Sequence, residues 1–248
     1  MRNNDVYRPV TLDDGKADAD AILLIFSAVA SGRLTSDLSL LNYYHEVPVS
    51  YRATIQSMDG GNVEFLMHEH QGMAIKNDRH TLIKSAHFPK GLGVHAHAAY
   101  TNVQKKTAIL HNFSYAQIRA ERREAVRVAV NRPLPVTFTF DGGTLNGLMK
   151  DISGTGISVL SPDIFAIDGN QTGQLSFALM DTPILVSGTF VRSFKGSDSS
   201  HMCVFMMEPD RKTDAIIGQF SYQRQIEILK DLKEGSIIED AAFCHTAG

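Results

Sequence analysis

Four arginines fall within ten residues in the segment 119-RAERREAVRV-128, in a chain of 248 residues whose formal net charge is −3. A guanidinium group is planar and permanently charged, and its fork of donors binds phosphate oxygens bidentately, whereas a lysine acts as a point charge. Glu121 and Glu124 are interleaved with the arginines, as on a solvated helix face with surface ion pairs. The cluster alone therefore leaves two interpretations open, an anion-binding segment and an ordinary charged surface.

A second polar segment, 151-DISGTG-156, lies about twenty-five residues further along the chain. Asp, Ser and Gly are common in turns, so this segment alone predicts only a strand-to-strand turn. The two segments are more informative in combination than separately. Arg122, Arg123 and Arg127 form the pattern RRxxxR at the entrance to a β-rich region, and residues 151–156 form DxSxxG just after a hairpin of that same region.

The residues before the arginine segment show the pattern of a β-domain preceded by one helix. Residues 17–31 predict the helix, with acidic residues at its start and Gly32 as its C-cap. The Asp59-Gly60-Gly61 sequence predicts a hairpin turn. Short β-rich runs follow one another on either side of that turn, at 47–58, 62–69, 81–88, 93–103 and 106–114. We expect these strands to form a small barrel.

The residues after the arginine segment show a similar pattern. Asp141-Gly142-Gly143 predicts a second hairpin. Six strands are predicted, at 134–140, 144–153, 157–161, 173–180, 184–194 and 201–208. Turn residues at short intervals favour a barrel or a sandwich, and helical spacing of apolar residues predicts a helix over 211–233. The predicted fold class is mainly β, with two small β-barrel domains in tandem and a helix at each end.

The domain boundaries follow from these elements. Residues 1–114 are predicted to form the N-terminal β-domain, with its helix at about 17–31. Residues 115–132 form an arginine-rich interdomain connector, residues 133–233 form the second barrel with its C-terminal helix, and residues 234–248 form a tail.

Composition excludes several classes of protein. The pI of about 6.4 disfavours a general nucleic-acid binder, which is usually basic. The two cysteines, Cys203 and Cys244, form no CxxC pair, a usage typical of a reducing cytosol. The first residues lack the apolar region of a signal peptide. The apolar run 21–30 is too short to span a bilayer. We therefore expect a cytoplasmic protein without membrane insertion.

The two motifs in this order and spacing, with six strands and a C-terminal helix, resemble the PilZ family, whose members bind cyclic di-GMP. The resemblance covers roughly residues 118–232. The N-terminal half is similar in architecture to the accessory β-domain that precedes PilZ in proteins of the flagellar-brake type. The resemblance implies cyclic di-GMP as the ligand, bound and not hydrolysed.

The resemblance also implies a set of binding residues, and their chemistry suits the ligand. Arginine pairs bidentately with phosphate and with guanine O6 and N7. Guanine N1–H and N2–H₂ need acceptors, which an aspartate and a serine supply, and a glycine allows close backbone approach. The predicted binding residues are Arg122, Arg123, Arg127, Asp151, Ser153 and Gly156, with secondary contacts from Arg119, Gly188 and Arg192.

The implied activity is that of a receptor whose output is a protein–protein contact in the control of bacterial motility or biofilm formation. The implied partner is a protein of the flagellar motor, with recruitment to the flagellar basal body, and a homodimer is left open. No enzyme is expected, because the sequence has no HExxH, no GxSxG, no P-loop and no Cys/His pair placed for nucleophilic catalysis.

The histidines supply an alternative. The chain has ten, and seven of them lie between residues 68 and 111. The triplets 68-HEH-70 and 95-HAH-97 would each put two imidazoles on one face of a strand, a spacing that suits a metal ion. No acidic or thiolate residue completes a site, so no metal is predicted, and a histidine-rich metal-binding β-domain remains an alternative. An RNA-binding barrel is a further alternative, although it would use a basic strand face with interleaved aromatic residues.

Overall fold

The computed structural model describes residues 6–119, 125–162, 169–195 and 200–244, with side chains described as far as residue 234. The chain divides into two compact units. The first unit comprises residues 1–44, 48–124 and 230–248, and the second unit comprises residues 45–47 and 125–229. No helix among the described residues is long and apolar enough to cross a membrane.

The first helix, α1 (Gly15–Ala30), confirms the predicted N-terminal helix and begins two residues earlier than expected. Asp14 is its N-cap, and the Asp14 carboxylate accepts hydrogen bonds from the amides of Lys16 and Ala17 at 2.9 Å. Ile22 and Phe26 lie on its buried face, and the Phe26 ring packs edge-on against three other phenylalanines, Phe65, Phe88 and Phe113. The helix thus covers one side of the first unit's sheet.

The sheet of the first unit has eight strands: β1 (Tyr7–Pro9), β2 (Ser39–Tyr44), β3 (Val47–Arg52), β4 (Thr54–Asp59), β5 (Asn62–Leu66), β6 (His80–Lys84), β7 (Gly93–Asn102) and β8 (Thr107–Ile118). The strand order is β3-β2-β6-β7-β8-β5-β4, with β1 paired to β8. The predicted hairpin at Gly60 and Gly61 is present, and both glycines have positive φ, as a two-residue turn requires.

Two predictions for the first unit need correction. Its strands form an open sheet and not a closed barrel, so the described residues form one barrel where two were expected. The HEH triplet was expected on a strand, but it lies at the start of helix α2 (Glu69–Asp78), where His68 is the N-cap. The His68 side chain accepts a hydrogen bond from the His70 amide, and this local capping bond favours a helix over a strand.

The second unit is a closed six-stranded barrel, as predicted. Its strands are β9 (Val128–Phe140), β10 (Gly143–Ser153), β11 (Gly156–Ser161), β12 (Thr172–Leu179), β13 (Thr182–Lys195) and β14 (His201–Glu208), and their order around the barrel is β10-β11-β14-β13-β12-β9. Alternate residues of each strand point inward. On β14, for example, Cys203, Phe205 and Met207 are buried while Met206 is exposed.

The C-terminal helix, α3 (Arg211–Cys244), has 34 residues and therefore continues well past the predicted end at residue 233. Ile217, Ser221, Arg224 and Ile228 are buried at helical spacing, whereas Ile226 is 38% exposed. Arg224 bonds to β9, so the helix packs along the first residues of that strand.

The connector predicted over residues 115–132 is partly strand. Residues 115–118 belong to β8, where Tyr115 and Ala116 are buried, and residues 128–132 belong to β9.

Candidate functional site

The DxSxxG segment forms the tight hairpin between β10 and β11. Ser153 and Gly156 are directly paired, so Gly154 and Thr155 are the two turn residues. The Ser153 hydroxyl donates to the carbonyl oxygen of Gly156 at 3.3 Å. A Cβ at Gly156 would lie 2.6 Å from the carbonyl oxygen of Phe205 on β14, so a side chain has no room there. Gly156 therefore allows β11 to pack closely against β14.

Asp151 lies two residues before Ser153, immediately after a β-bulge. The strand register shifts between Met149 and Asp151, on both sides of β10, and this shift sets the side to which Asp151 points. Asp151 pairs with Ser158 on β11 and with Ala129 on β9. Ser158 is 5% exposed and Ser153 is 3% exposed. The hairpin thus groups the Asp151 carboxylate with the hydroxyls of Ser153 and Ser158, and both serines are largely shielded from solvent.

Arg127 comes directly before β9, next to the strand that leads into the hairpin. Ile152, which lies between Asp151 and Ser153, pairs with Val128, so Arg127 immediately precedes the first residue of β9 that pairs with β10. Arg127 is half-buried. The register therefore brings together four of the predicted residues: Arg127, Asp151, Ser153 and Gly156.

Of the three other arginines in this segment, the structure describes Arg119. Arg122 and Arg123 lie outside the described residues. Arg119 follows the last residue of β8 in the first unit, and its amide donates to the carbonyl oxygen of Val6 at 2.8 Å.

Gly188 and Arg192 both lie on β13, away from the hairpin. A Cβ at Gly188 would lie 2.5 Å from Leu175 Cδ1, so Gly188 serves the packing of the barrel interior. Arg192 pairs with Val204, and Val204 pairs with Ser158. Arg192 is therefore in the same cross-strand row as Asp151 but three strand spacings away, about 14 Å along the sheet. The structure does not bring these two secondary candidates to the hairpin.

Asp214, in the first turn of α3, is a polar residue at the hairpin that the sequence did not indicate. Its Oδ1 atom lies 3.6 Å from the position that a Cβ of Gly154 would occupy, and Ala125 Cβ lies 3.9 Å from the same position. No motif identifies Asp214, because it is sixty residues from Gly154 along the chain and only the packing of α3 brings it near.

The histidines form a cluster on the first unit's sheet. His80 pairs with His97, and His97 pairs with His111. His95 lies 4.8 Å from His97 and 5.4 Å from His80 between ring centroids, and the Tyr7 ring stacks on His95 at 4.7 Å. Burial, with the neighbouring His80 and His97, lowers the pKa of His95 from 6.5 to about 4. Among the described residues, no three His, Cys, Asp or Glu side chains are arranged to hold a metal ion.

Comparison with known proteins relates the second unit to a family. The model of the PilZ domain matches residues 121–223. An uncharacterized protein of Aquifex aeolicus (strain VF5) is 28% identical over 124 residues, which are 50% of this chain and 60% of that protein. The match thus spans less than two thirds of the relative's length.

Three solved structures have a similar but distant fold. The Bacillus subtilis inhibitor of motility (MotI/DgrA) is 13% identical, with 77% of this chain and 95% of that chain covered and a TM-score of 0.41. The MrkH–c-di-GMP complex of K. pneumonia is 12% identical, covering 89% and 96%, with a TM-score of 0.39. YcgR of Escherichia coli in complex with c-di-GMP is 11% identical, covering 98% and 99%, with a TM-score of 0.38.

The family match includes both sequence motifs, and it coincides with the closed barrel and the start of the C-terminal helix. Residues 121–223 of this chain therefore match the PilZ domain.

Proposed function

We propose that this protein is a cyclic di-GMP receptor and that its ligand binds at the β10–β11 hairpin. One observation carries the proposal: Arg127 directly precedes Val128, which pairs with Ile152 between Asp151 and Ser153. A phosphate-binding cation and acceptors for guanine donors therefore meet at one place, as a cyclic dinucleotide with two phosphates and two guanines requires. The match to the PilZ domain supports the same ligand.

Each side chain has a role that matches its chemistry. Arg127, with Arg122 and Arg123 from the same segment, binds phosphate oxygens and guanine O6 and N7 through paired N–H donors. Asp151 and Ser153 accept hydrogen bonds from guanine N1–H and N2–H₂. Gly156 allows the base to approach the backbone. These groups bind and orient the ligand without a nucleophile or a general base aimed at a phosphate, so we propose a receptor and not an enzyme.

The output is proposed to be a change in protein–protein contact. The arginine segment joins the two units along the chain, so a ligand that binds those arginines together with the hairpin favours one arrangement of the connector over others. The partner is proposed to be a protein of the flagellar motor, reached from the cytoplasm, with motility or biofilm formation as the process controlled. A homodimer of the receptor is compatible with this output.

Titration calorimetry tests the ligand. Wild-type protein is expected to bind cyclic di-GMP in preference to cyclic di-AMP. The Arg127→Ala variant is expected to lose tenfold or more in affinity, because a hydrogen bond to a charged group is worth about 1.5–3 kcal/mol. Arg132→Ala is the matched control, an exposed arginine on β9 five residues after Arg127, and should bind as the wild type does. Failure of wild-type protein to bind cyclic di-GMP would contradict the proposal.

Small-angle scattering tests the output. The scattering profile of the full chain is expected to change at saturating cyclic di-GMP, and hydrogen exchange of the connector is expected to slow. The Arg127→Ala variant at the same ligand concentration is the control. An unchanged profile in wild-type protein that is saturated with ligand would leave a binding domain without a conformational output.

A further inference from the structure

A second carboxylate stands at the hairpin that carries Asp151. Asp214 Oδ1 lies within van der Waals distance of the space above Gly154, 3.6 Å from the position of a Cβ there. Asp214 is exposed, so the carboxylate is open to a ligand that approaches the turn. Ala125 borders the same space at 3.9 Å, two residues before Arg127. Asp214 thus lies beside the chain that enters the proposed site.

Several hydrogen bonds hold Asp214 beside the hairpin. The Met207 amide, near the end of β14, donates to the carbonyl oxygen of Thr155 at 3.0 Å, which ties the strand to the hairpin turn. Three residues later the Asp210 carboxylate accepts from the Thr213 amide at 2.8 Å and so caps the start of α3. The Asp214 amide donates to the Asp210 carbonyl oxygen at 2.9 Å. The hairpin, the strand end and the first helical turn therefore form one connected framework.

We propose that Asp214 is a further specificity-determining residue, which accepts hydrogen bonds from N1–H and N2–H₂ of a guanine at the Gly154–Thr155 turn. This inference rests on the proposed function. A carboxylate has two oxygens and no donor, so it matches the paired donors of guanine and repels the phosphates. Cyclic di-GMP presents two guanine edges, and Asp151 and Ser153 supply acceptors for one. Asp214 supplies them for the other.

The alternative roles of this carboxylate make different predictions. A residue that only repels phosphate would weaken binding of every cyclic dinucleotide, so its removal would raise affinity for all of them. A residue that only stabilises α3 would change affinity for different bases to the same extent. Removal of a base-reading residue changes the ratio of the affinities for dinucleotides with different bases. A guanine donor left without an acceptor costs free energy, whereas a base that lacks that donor has no such cost.

The experiment compares cyclic di-GMP with cyclic di-IMP, which keeps both phosphates and N1–H but lacks the 2-amino group. Calorimetry on the full chain is expected to show that Asp214→Ala lowers affinity for cyclic di-GMP about tenfold or more, with a smaller loss for cyclic di-IMP. The ratio of the affinities for cyclic di-GMP and cyclic di-IMP should therefore be smaller in Asp214→Ala than in the wild type. Asp141→Ala is the matched control, since Asp141 is an exposed aspartate in the β9–β10 turn at the opposite end of β10.

Three results would overturn the inference: an unchanged affinity of Asp214→Ala for cyclic di-GMP, an equal loss for both ligands, or a gain for both. Wild-type binding together with any of these results leaves the proposed function intact and removes only the role of Asp214. Absence of wild-type binding removes both. Circular dichroism and a thermal melt of Asp214→Ala establish that the variant is folded before affinities are compared.

Discussion

Arg224 Nε donates to the carbonyl oxygen of Ala129 at 2.9 Å, which links the C-terminal helix to the strand that pairs with Asp151. Arg224 is 8% exposed, and its Nη1 lies 2.8 Å from a carboxylate oxygen of Glu227. The helix is therefore part of the framework of the proposed site, although Arg224 follows Gly156 by 68 residues along the chain.

Loss of this link is expected to weaken both the fold and the site. Arg224→Met keeps most of the apolar stem but removes the donor, and leaves the Ala129 carbonyl without that bond. The free energy of unfolding should fall by about 1–3 kcal/mol, measured by urea denaturation. Cyclic di-GMP affinity should fall with it, because Ala129 sets the position of Asp151. Arg211→Met, at an exposed arginine of the same helix, is the control and should change neither quantity.

The two glycines of the hairpin are expected to differ sharply in their tolerance of a methyl group. Gly156→Ala puts Cβ 2.6 Å from a backbone carbonyl oxygen, which must move, so it should cost about 1–3 kcal/mol in unfolding free energy. Gly154→Ala meets no atom nearer than 3.6 Å and should be nearly neutral. Thermal melts of both variants test the difference. Equal melting temperatures would show that the contact at Gly156 relaxes freely.

Asp151 and Ser153, the proposed acceptors for the guanine edge, are expected to determine selectivity for guanine more than the overall affinity for a cyclic dinucleotide. Asp151→Ala and Ser153→Ala should narrow the preference for cyclic di-GMP over cyclic di-AMP, because adenine presents a donor where guanine presents O6. Arg127→Ala should weaken both ligands. Competition binding with the two dinucleotides measures the ratio directly. A ratio that stays at the wild-type value in Asp151→Ala and Ser153→Ala would exclude them as base readers.

The first unit is expected to lose stability as the pH falls from 6.5 towards 4. The pKa of His95 is about 4 in the folded protein and 6.5 ordinarily, so in this range the unfolded chain binds more protons than the folded one. The contribution is absent above pH 6.5, where His95 is neutral in both states. The loss of stability grows as the pH falls from 6.5 towards 4 and is complete below that value.

Urea denaturation at pH 7 and pH 5 checks this expectation. His95→Phe retains an aromatic ring to stack on Tyr7 but cannot be protonated, so its stability should change less between the two pH values than that of the wild type. His201→Gln, on β14 of the second unit, is the matched control and should follow the wild type. An equal change in His95→Phe and wild type would mean that another group controls the pH dependence.

The features that depend on neighbouring residues follow from the sequence alone. The Gly60-Gly61 turn, the Asp14 cap of α1, the DISGTG hairpin and the six strands of the barrel all follow from local preferences. The PilZ motifs could be identified for the same reason, since each is contained within six residues.

Features that depend on distant pairing required the folded structure. Whether the first sheet closes is a matter of which edge strands meet, and alternating patterns do not encode that choice. The position of Arg127 beside the β10 strand depends on the irregular register between Met149 and Asp151, because such a register shift changes which residues of β9 and β10 lie opposite each other. Asp214 reaches Gly154 only because the barrel closes and α3 packs along β9, contacts that join residues far apart in the chain and leave no local signal.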